Sequence, residues 1–265
     1  MKILITGAAG EIGTTLRYGL RGRYELLRLH DRIPISPEGV NEEAFTGDLR
    51  DYNVALRCVA EMDVIIHLAG VAREGKWDAI VQSNIQATIN IFEAAQACGV
   101  KRVVFASTNH VIGFYRSKDQ IGTKEPPRPD TRYAVSKVFG EALGRYHADK
   151  YGLSVICLRI GSFRKSVTTS RELMTWLSPD DCVRLAIASI EARNIHFEVI
   201  YGVSANDRRM WINDGSKNIG YVPQDNSERF LDSITPDTDS ENHDNQFHGG
   251  FYAGLDFAGK TTLIE

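Results

Sequence analysis

The sequence has few cysteines, little net charge and no long apolar run, and each shortage argues against a class of protein. Its four cysteines form no CxxC pair, which favours small buried thiols over a disulfide framework. The formal net charge is −3, with 31 basic and 34 acidic residues interspersed, so neither a nucleic-acid partner nor a membrane partner is expected. No segment reaches the ~18 apolar residues of a membrane span. The seven histidines show no HExxH-like spacing, so we expect no metal site.

Size and the opening segment predict one globular protein of the cytoplasm. With 265 residues, of which 43% are hydrophobic and 25% charged, the chain can form one large α/β domain, or one domain with a small lobe. The segment MKILITGAAG begins a strand at once, and its apolar run is too short for a signal peptide. The cysteine pattern agrees with a reducing, cytoplasmic compartment.

What the sequence does contain is a regular alternation of strand and helix patterns. Strands are predicted at Lys2–Thr6, Glu25–Leu29, Ala44–Thr46, Val64–His67, Arg102–Ala106 and Ser154–Leu158. Helices are predicted from the glycine-rich turn to about Leu20, at Asp78–Cys98 and at Thr131–Lys150. The strands are near-continuous apolar runs, which is typical of a parallel sheet buried on both faces. The sequence therefore predicts a doubly wound, Rossmann-type α/β fold whose ligand lies at the carboxyl ends of the strands.

The regularity weakens after Arg159, where a small C-terminal substrate-binding region is expected. A helix is predicted at Pro179–Arg193 and a strand at Phe197–Tyr201, and the tail from about Asp225 is polar. We expect residues 1–160 to form the dinucleotide-binding core with the catalytic helix. Residues 161–265 would then supply substrate-binding segments and a tail packed on the same domain.

A glycine-rich turn follows the first predicted strand and opens the first helix. In this turn, TGAAGEIG, Gly7 permits the tight bend and Gly10 lets the backbone approach a pyrophosphate. Gly13 lets the helix pack closely on the sheet. The helix amino terminus presents free N–H groups and the positive end of its dipole to phosphates. The turn therefore predicts a bound dinucleotide.

Asp31 ends the second strand and favours NAD as that dinucleotide. It lies 18 residues after Gly13, near the ~20-residue offset of a carboxylate that binds the adenosine ribose. A carboxylate there accepts hydrogen bonds from two hydroxyls and repels a 2′-phosphate. Arg32 and the nearby Arg28 keep NADP open as an alternative, since an arginine can hold that phosphate.

Tyr133 and Lys137 are four residues apart in a predicted helix and so lie on one face. A free tyrosine titrates near ~10, so its phenolate is scarce at neutral pH. A lysine ammonium and a positive nicotinamide ring nearby would stabilise the anion. Because the pair follows a dinucleotide turn, it predicts that Tyr133 accepts a hydroxyl proton while hydride leaves for the cofactor.

The TGAAGEIG turn and the YAVSK segment resemble the fingerprints of extended short-chain dehydrogenases, the NAD-dependent epimerase/dehydratase-like superfamily. The resemblance implies a structural asparagine at Asn84 and a catalytic hydroxyl at Thr108. Ser107, beside it, should face the opposite way on an extended chain. Implied cofactor contacts are Gly7, Ala9, Gly10, Glu11, Ile12, Gly13, Asp31, Asp48, Leu49, Leu68, Ala69, Gly70, Tyr133, Lys137 and Ile160.

Several segments further resemble the uronate dehydrogenase family, and together they cover essentially the whole chain. They are ASTNHVIGFY, RPDTRYAVSKVFGE, LRIGS, SRELMTWLSPDD and the FxGG-like stretch Phe247–Gly250. Members of this family oxidise the anomeric carbon of D-glucuronate or D-galacturonate to the aldarolactone by hydride transfer to NAD. The resemblance implies that Arg171 clamps the substrate carboxylate. It also implies that Asn109, His110 and Ser162 hydrogen-bond the sugar hydroxyls and carboxylate. The chain departs from the family at Ala72, where a serine is expected.

Two other functions stay open on the sequence. A nucleotide-sugar epimerase or dehydratase on the same scaffold would need a larger pocket, and little chain follows Arg159 to build one. A non-catalytic NAD(P)-sensing regulator would have no use for Tyr133 and Lys137 together. Dehydrogenases of this type commonly pair through the helices around residues 80–98 and 131–150, so we expect a homo-oligomer.

Overall fold

The computed structural model describes residues 1–234 and 246–264 and is built on a seven-stranded parallel sheet. The strands are β1 (Lys2–Thr6), β2 (Leu26–Asp31), β3 (Glu42–Thr46), β4 (Val64–His67), β5 (Arg102–Thr108), β6 (Ser154–Ile160), β7 (Ser162–Phe163), β8 (Trp176–Leu177) and β9 (Phe197–Gly202). The main sheet has the order β3-β2-β1-β4-β5-β6-β9, and β7 pairs with β8 apart from it. The strand order reverses between β1 and β4, where such folds bind ligands. The predicted doubly wound α/β fold is confirmed.

Helices cover both faces of the main sheet. They are α1 (Glu11–Leu20), α2 (Tyr52–Val59), α3 (Trp77–Ile80), α4 (Ala87–Ala97), α5 (Arg132–Tyr151), α6 (Ser170–Thr175) and α7 (Pro179–Glu191). α1 and α7 pack together on one face, and α2, α4 and α5 pack on the other. Because side chains alternate along a strand, Ile3 and Ile5 enter the first core while Leu4 enters the second. This explains why β1 is apolar throughout.

Two local features differ from the sequence-based expectation. The predicted helix Asp78–Cys98 contains a π-helical segment, Val81–Gln86, between α3 and α4. α2 was not predicted, since it is only eight residues long; the Asp51 carboxylate caps it by accepting from the backbone N–H of Asn53 at 2.8 Å. Short helices of this kind depend on packing more than on their own periodicity.

The C-terminal residues 246–264 lie against the segment that follows β5. The backbone N–H of His248 donates to the Tyr115 carbonyl, and that of Gly249 donates to the Gly113 carbonyl, each at 2.9 Å. Within the described residues, no helix is long and apolar enough to cross a bilayer, and no cluster of metal-ligating side chains occurs. Through the hydrogen bonds of His248 and Gly249, residues 246–264 lie at the carboxyl edge of the sheet, where the site is found.

Candidate active site

A cavity of about 740 Å³ runs along the carboxyl ends of the central strands. All the site residues predicted from the sequence line it except Ala9 and Gly13. Ala72 and Arg73 line it as well, so the expected serine contact in this loop is replaced by a methyl group. The fold therefore brings residues that are far apart in the sequence, from Gly7 to Arg171, into one cavity.

The glycine turn is shaped by close backbone contacts. Gly7 has φ of +71°, and a Cβ there would lie 2.9 Å from the Ala69 nitrogen. A Cβ on Gly13 would lie only 2.3 Å from the Gly7 carbonyl oxygen. Gly10 caps α1, whose first residue is Glu11. The close contacts of Gly13 are thus with the turn itself, and the first residues of α1 line the cavity.

The Asp31 carboxylate is held in place at the carboxyl end of β2 by backbone groups. Its Oδ2 accepts from the Ala9 N–H at 3.1 Å and its Oδ1 from the Arg32 N–H at 2.7 Å. Ala9 therefore acts on the site through Asp31. Asp48, in contrast, forms an ion pair with Arg50, whose hydrogen bond lowers the pKa of Asp48 to about 2. Any cofactor contact of the Asp48 carboxylate involves that pair.

Asn84 connects the turn after β4 to α5. Its Oδ1 accepts from the Val71 N–H at 2.7 Å, and its Nδ2 donates to the Val71 carbonyl and to Ser136 Oγ, each at 3.0 Å. Gly70, with φ of +148°, has no room for a Cβ, which would lie 2.9 Å from Asn84 Oδ1. The structural role expected for this asparagine follows from these bonds.

Tyr133 lies in the first turn of α5, directly beside Thr108. The helix begins at Arg132 because Thr131 Oγ1 caps it, accepting from the Ala134 N–H at 3.0 Å. Lys137 places its Nζ 5.7 Å from the centre of the Tyr133 ring and 4.9 Å from that of Phe105. Both side chains therefore face the cavity from one side of the helix.

Burial dominates the ionisation of this pair. It raises the pKa of the Tyr133 phenol to about 12, against the hydrogen bond with Thr108, which lowers it. Burial also lowers the pKa of the Lys137 ammonium to about 8. The sequence-based expectation combined the Lys137 ammonium with a positive nicotinamide ring, and the pKa of about 12 describes the phenol without that ring. A further positive charge near the phenol is needed to form the phenolate.

The two hydroxyls at the end of β5 face opposite ways, as expected for an extended chain. The Ser107 hydroxyl donates to Glu141 Oε1 at 2.6 Å, and Glu141 is also paired with the buried Arg159. Thr108 Oγ1 instead accepts from the His110 N–H at 3.3 Å and lies beside Tyr133. Thr108 is thus the hydroxyl that the fold offers to a ligand.

Arg171 forms the other end of the site and is fixed by three hydrogen bonds. Its Nε and Nη2 both donate to the His248 carbonyl, at 3.1 and 2.7 Å. With the Asn109 amide assigned so that both its ends are paired, Oδ1 accepts from Arg171 Nη2 at 2.9 Å and Nδ2 donates to the Ile160 carbonyl at 3.0 Å. Burial lowers the pKa of the guanidinium, and the acceptors of its three hydrogen bonds carry no negative charge. Asn109 therefore positions Arg171 as well as lining the cavity.

The remaining predicted substrate residues lie in the same space. Ser162 Oγ is hydrogen-bonded to Thr175 Oγ1 at 2.8 Å. His110 Nδ1 lies 2.7 Å from Asp130 Oδ2. Sequence reasoning missed Asp130 and the His248 carbonyl, although both lie in or beside segments that carried the family resemblance. A backbone carbonyl leaves no sequence signal, whereas Asp130, three residues before Tyr133, could have been noticed.

Comparisons with known proteins show what the chain as a whole is similar to. The family model of the NAD dependent epimerase/dehydratase family matches residues 3–163. The chain is 38% identical to a uronate dehydrogenase of Pseudomonas putida over 95% of both chains. It is 35% identical to an NAD-dependent glucose-6-phosphate dehydrogenase of Haloferax volcanii, over 86% of this chain and 95% of that protein. A solved uronate dehydrogenase variant of Agrobacterium tumefaciens, complexed with NAD, superimposes with a TM-score of 0.91 at 41% identity, covering 95% of this chain and 96% of that one.

Proposed function

The chain belongs to the NAD dependent epimerase/dehydratase family and, within it, to the uronate dehydrogenases, and from this premise we propose that it oxidises hexuronic acids at C1. The substrates are D-glucuronate and D-galacturonate, the product is the aldarolactone, and the oxidant is NAD. One observation carries the choice of substrate: Arg171, whose hydrogen bonds among the described residues go to a carbonyl and an amide oxygen and not to a carboxylate, shares a cavity with Tyr133, Lys137 and Thr108.

The residues present fit NAD. The turn leaves no space for side chains at Gly7 and Gly13, the α1 amino terminus opens on the cavity, and the Asp31 carboxylate lies at the end of β2. When bound, NAD would accept the hydride from the sugar carbon and bring a positive ring to the site. Asp31 would bind the ribose hydroxyls, and Lys137 would lie within reach of the second ribose.

Arg171 selects a carboxylate in the substrate. A guanidinium with no carboxylate partner in its own hydrogen bonds gains most from an anion that can accept two parallel hydrogen bonds. A neutral sugar would leave this charge without an anionic partner and would bind more weakly. The cavity of about 740 Å³ has to hold the dinucleotide as well, which favours a monosaccharide over a nucleotide sugar.

The chemistry follows from the order of these groups. Thr108 would hydrogen-bond the C1 hydroxyl and hold it beside Tyr133. The Tyr133 phenolate then removes the hydroxyl proton as the C1–H bond gives up its hydride, and the C1–O bond becomes the lactone carbonyl. Lys137 would stabilise the phenolate, although its own pKa of about 8 means that the ammonium form is lost in mildly alkaline solution. The lactone leaves and hydrolyses in water.

A substrate panel tests the proposal. Hexuronates, neutral hexoses, glucose 6-phosphate and nucleotide sugars are each mixed with the protein and NAD or NADP, and reduced cofactor is measured by absorbance. We expect turnover of hexuronates with NAD. Equal turnover of glucose and glucuronate would contradict the role of Arg171. Epimerisation of a nucleotide sugar, or cofactor binding without any turnover, would support the two other functions that the sequence leaves open.

We further propose that the protein is a cytoplasmic homo-oligomer, with residues 161–265 completing the substrate end of a single domain. The assembly is supported by apolar side chains exposed on α5, namely Val135, Tyr146 and Tyr151, which are 39%, 43% and 43% exposed. Light scattering of the wild type and of Tyr146→Glu tests it: a monomeric wild type would contradict the oligomer.

A further inference from the structure

His110 is held between an aspartate and an aromatic ring at the substrate end of the cavity. Its Nδ1 lies 2.7 Å from Asp130 Oδ2, and the Asp130 side chain is fully buried. The Tyr252 ring meets the imidazole edge to face, with 5.0 Å between ring centres. The imidazole plane is therefore fixed on two sides.

The carboxylate determines which nitrogen of the neutral imidazole carries the proton. An ionised carboxylate can only accept hydrogen bonds, so Nδ1 must be the donor. The lone pair of the neutral ring is then on Nε2. Among the described residues Nε2 has no hydrogen-bond partner, and it is not sealed from solvent. Since His110 lines the cavity, Nε2 offers an acceptor there.

The surrounding backbone is built around the Asp130 carboxylate. A Cβ on Gly113 or on Gly249 would lie 2.1 or 1.9 Å from Asp130 Oδ2, so both glycines leave it space. Thr131 Oγ1 donates to the other oxygen at 3.1 Å. His248 directly precedes Gly249, and its carbonyl oxygen accepts the hydrogen bonds that orient Arg171. One tail segment thus supports both His110, through Asp130, and Arg171.

We propose that Asp130 is a positioning residue that makes His110 Nε2 an acceptor for a substrate hydroxyl, while the substrate carboxylate binds to Arg171. A lone pair at Nε2 repels a carboxylate and attracts an O–H, so the two residues divide the polar groups of the sugar between them. Asp130 acts through the tautomer of His110 and touches no substrate itself. The identity of the substrate in this assignment rests on the proposed function. The tautomer of His110 is independent of it.

The tautomer can be measured directly in the full-length protein. Nitrogen-15 NMR of the histidine side chains, at a pH where imidazoles are neutral, separates protonated from unprotonated ring nitrogens. The His110 signals are assigned by their loss in His110→Asn. We expect a protonated Nδ1 and an unprotonated Nε2. An unprotonated Nδ1 in the wild type would overturn the proposal even if the enzyme oxidises uronates.

Kinetics test the consequence for binding. In Asp130→Asn the amide can donate to Nδ1, which moves the proton to Nε2 and turns the acceptor into a donor. We expect KM for the uronate to rise roughly tenfold, with a smaller change in kcat and an unchanged KM for NAD. The matched control is Asp149→Asn, which alters another Asp–His pair, with His196 at 2.8 Å, on the exposed surface. Its kinetics should equal those of the wild type.

A double variant separates positioning from a general structural role. If Asp130 acts through His110, Asp130→Asn adds little to the KM of His110→Ala. Fully additive effects on KM would overturn the proposal. If Asp130→Asn does not fold, the NMR measurement on the wild type still decides it. A wild type with no uronate turnover but the expected tautomer would refute the proposed function and leave the assignment of the acceptor intact.

Discussion

The carbonyl oxygen of His248 accepts two hydrogen bonds from the Arg171 guanidinium, at 3.1 and 2.7 Å, across 77 residues of chain. A C-terminal segment therefore orients the guanidinium that we propose binds the substrate carboxylate. Gly250, with φ of +58°, makes this approach possible, because a Cβ there would lie 2.6 Å from Arg171 Cδ. The tail is thus part of the site.

Replacing Arg171 tests the carboxylate clamp. In Arg171→Met we expect kcat/KM for glucuronate to fall about 100-fold, because a charge-assisted pair of hydrogen bonds is lost. Arg171→Lys should retain only part of the wild-type kcat/KM, since an ammonium cannot donate two parallel hydrogen bonds as a planar guanidinium does. KM for NAD should not change. Arg208→Lys, at a surface ion pair with Glu228, is the control; if it lost as much activity as Arg171→Lys, the specific role would be refuted.

Removing one hydroxyl tests the proton acceptor. Tyr133→Phe should lower kcat by about 10²–10⁴-fold, because the group that takes the proton is gone. The dissociation constant for NAD, measured by calorimetry, should stay within about twofold since the ring remains. Tyr146→Phe, which removes an exposed hydroxyl from the same helix, should be fully active. A Tyr133→Phe enzyme with most of its activity would exclude Tyr133 from the mechanism.

Asp31 is expected to set the choice between the two dinucleotides. In Asp31→Ser, repulsion of the 2′-phosphate disappears while the adjacent Arg32 stays, so the ratio of kcat/KM for NAD to that for NADP should fall at least about tenfold. Adding Arg32→Ala should reverse the gain with NADP. An unchanged ratio in Asp31→Ser would place the discrimination elsewhere.

Close packing at the first turn predicts a stability effect. Gly13→Ala places a Cβ 2.3 Å from the Gly7 carbonyl oxygen, and the backbone has to shift. We expect the free energy of unfolding to fall by about 2–3 kcal/mol, and NAD binding to weaken. Gly75→Ala is the control, because its nearest neighbour would be Ile80 Cδ1 at 4.0 Å. Equal melting temperatures for the two variants would contradict the packing argument.

His67 predicts a loss of stability in acid. Burial, with a smaller effect of the Lys137 charge, lowers its pKa to about 3. Between about pH 6.5 and pH 3 the unfolded chain binds a proton at this residue that the folded chain does not, so acidification favours unfolding. Above about pH 6.5 the protonation of His67 does not lower the free energy of unfolding. Near pH 3 it has lowered that free energy by about 5 kcal/mol.

Denaturant unfolding at several pH values measures this effect. The slope of unfolding free energy against pH below 6.5 should be smaller in His67→Asn than in the wild type, although the variant starts less stable because His67 bonds to Thr6 and Thr88. His196→Asn, which removes an exposed histidine, should keep the wild-type slope. Equal slopes for all three proteins would rule out His67 as the source.

The local features of the fold could be read from the sequence because they depend on near neighbours. The β1–turn–α1 unit was predicted to its ends, since an apolar strand, a glycine turn and a helix pattern are all local. The spacing of Tyr133 and Lys137 predicted their common face for the same reason. The π-helical segment, which contains Asn84, was missed because a helical periodicity does not distinguish π-helical turns from α-helical ones.

By itself, the sequence determined the sheet type, the dinucleotide turn and the residue types available for acid–base chemistry, since these follow from short-range pattern and side-chain identity. The tertiary structure decided the pKa of those groups and the direction in which their side chains point. Burial raises the pKa of Tyr133 rather than lowering it, because desolvation depends on every element packed around the phenol. In the same way, Asp130 meets His110 and the His248 carbonyl meets Arg171 only once distant segments of the chain have folded together.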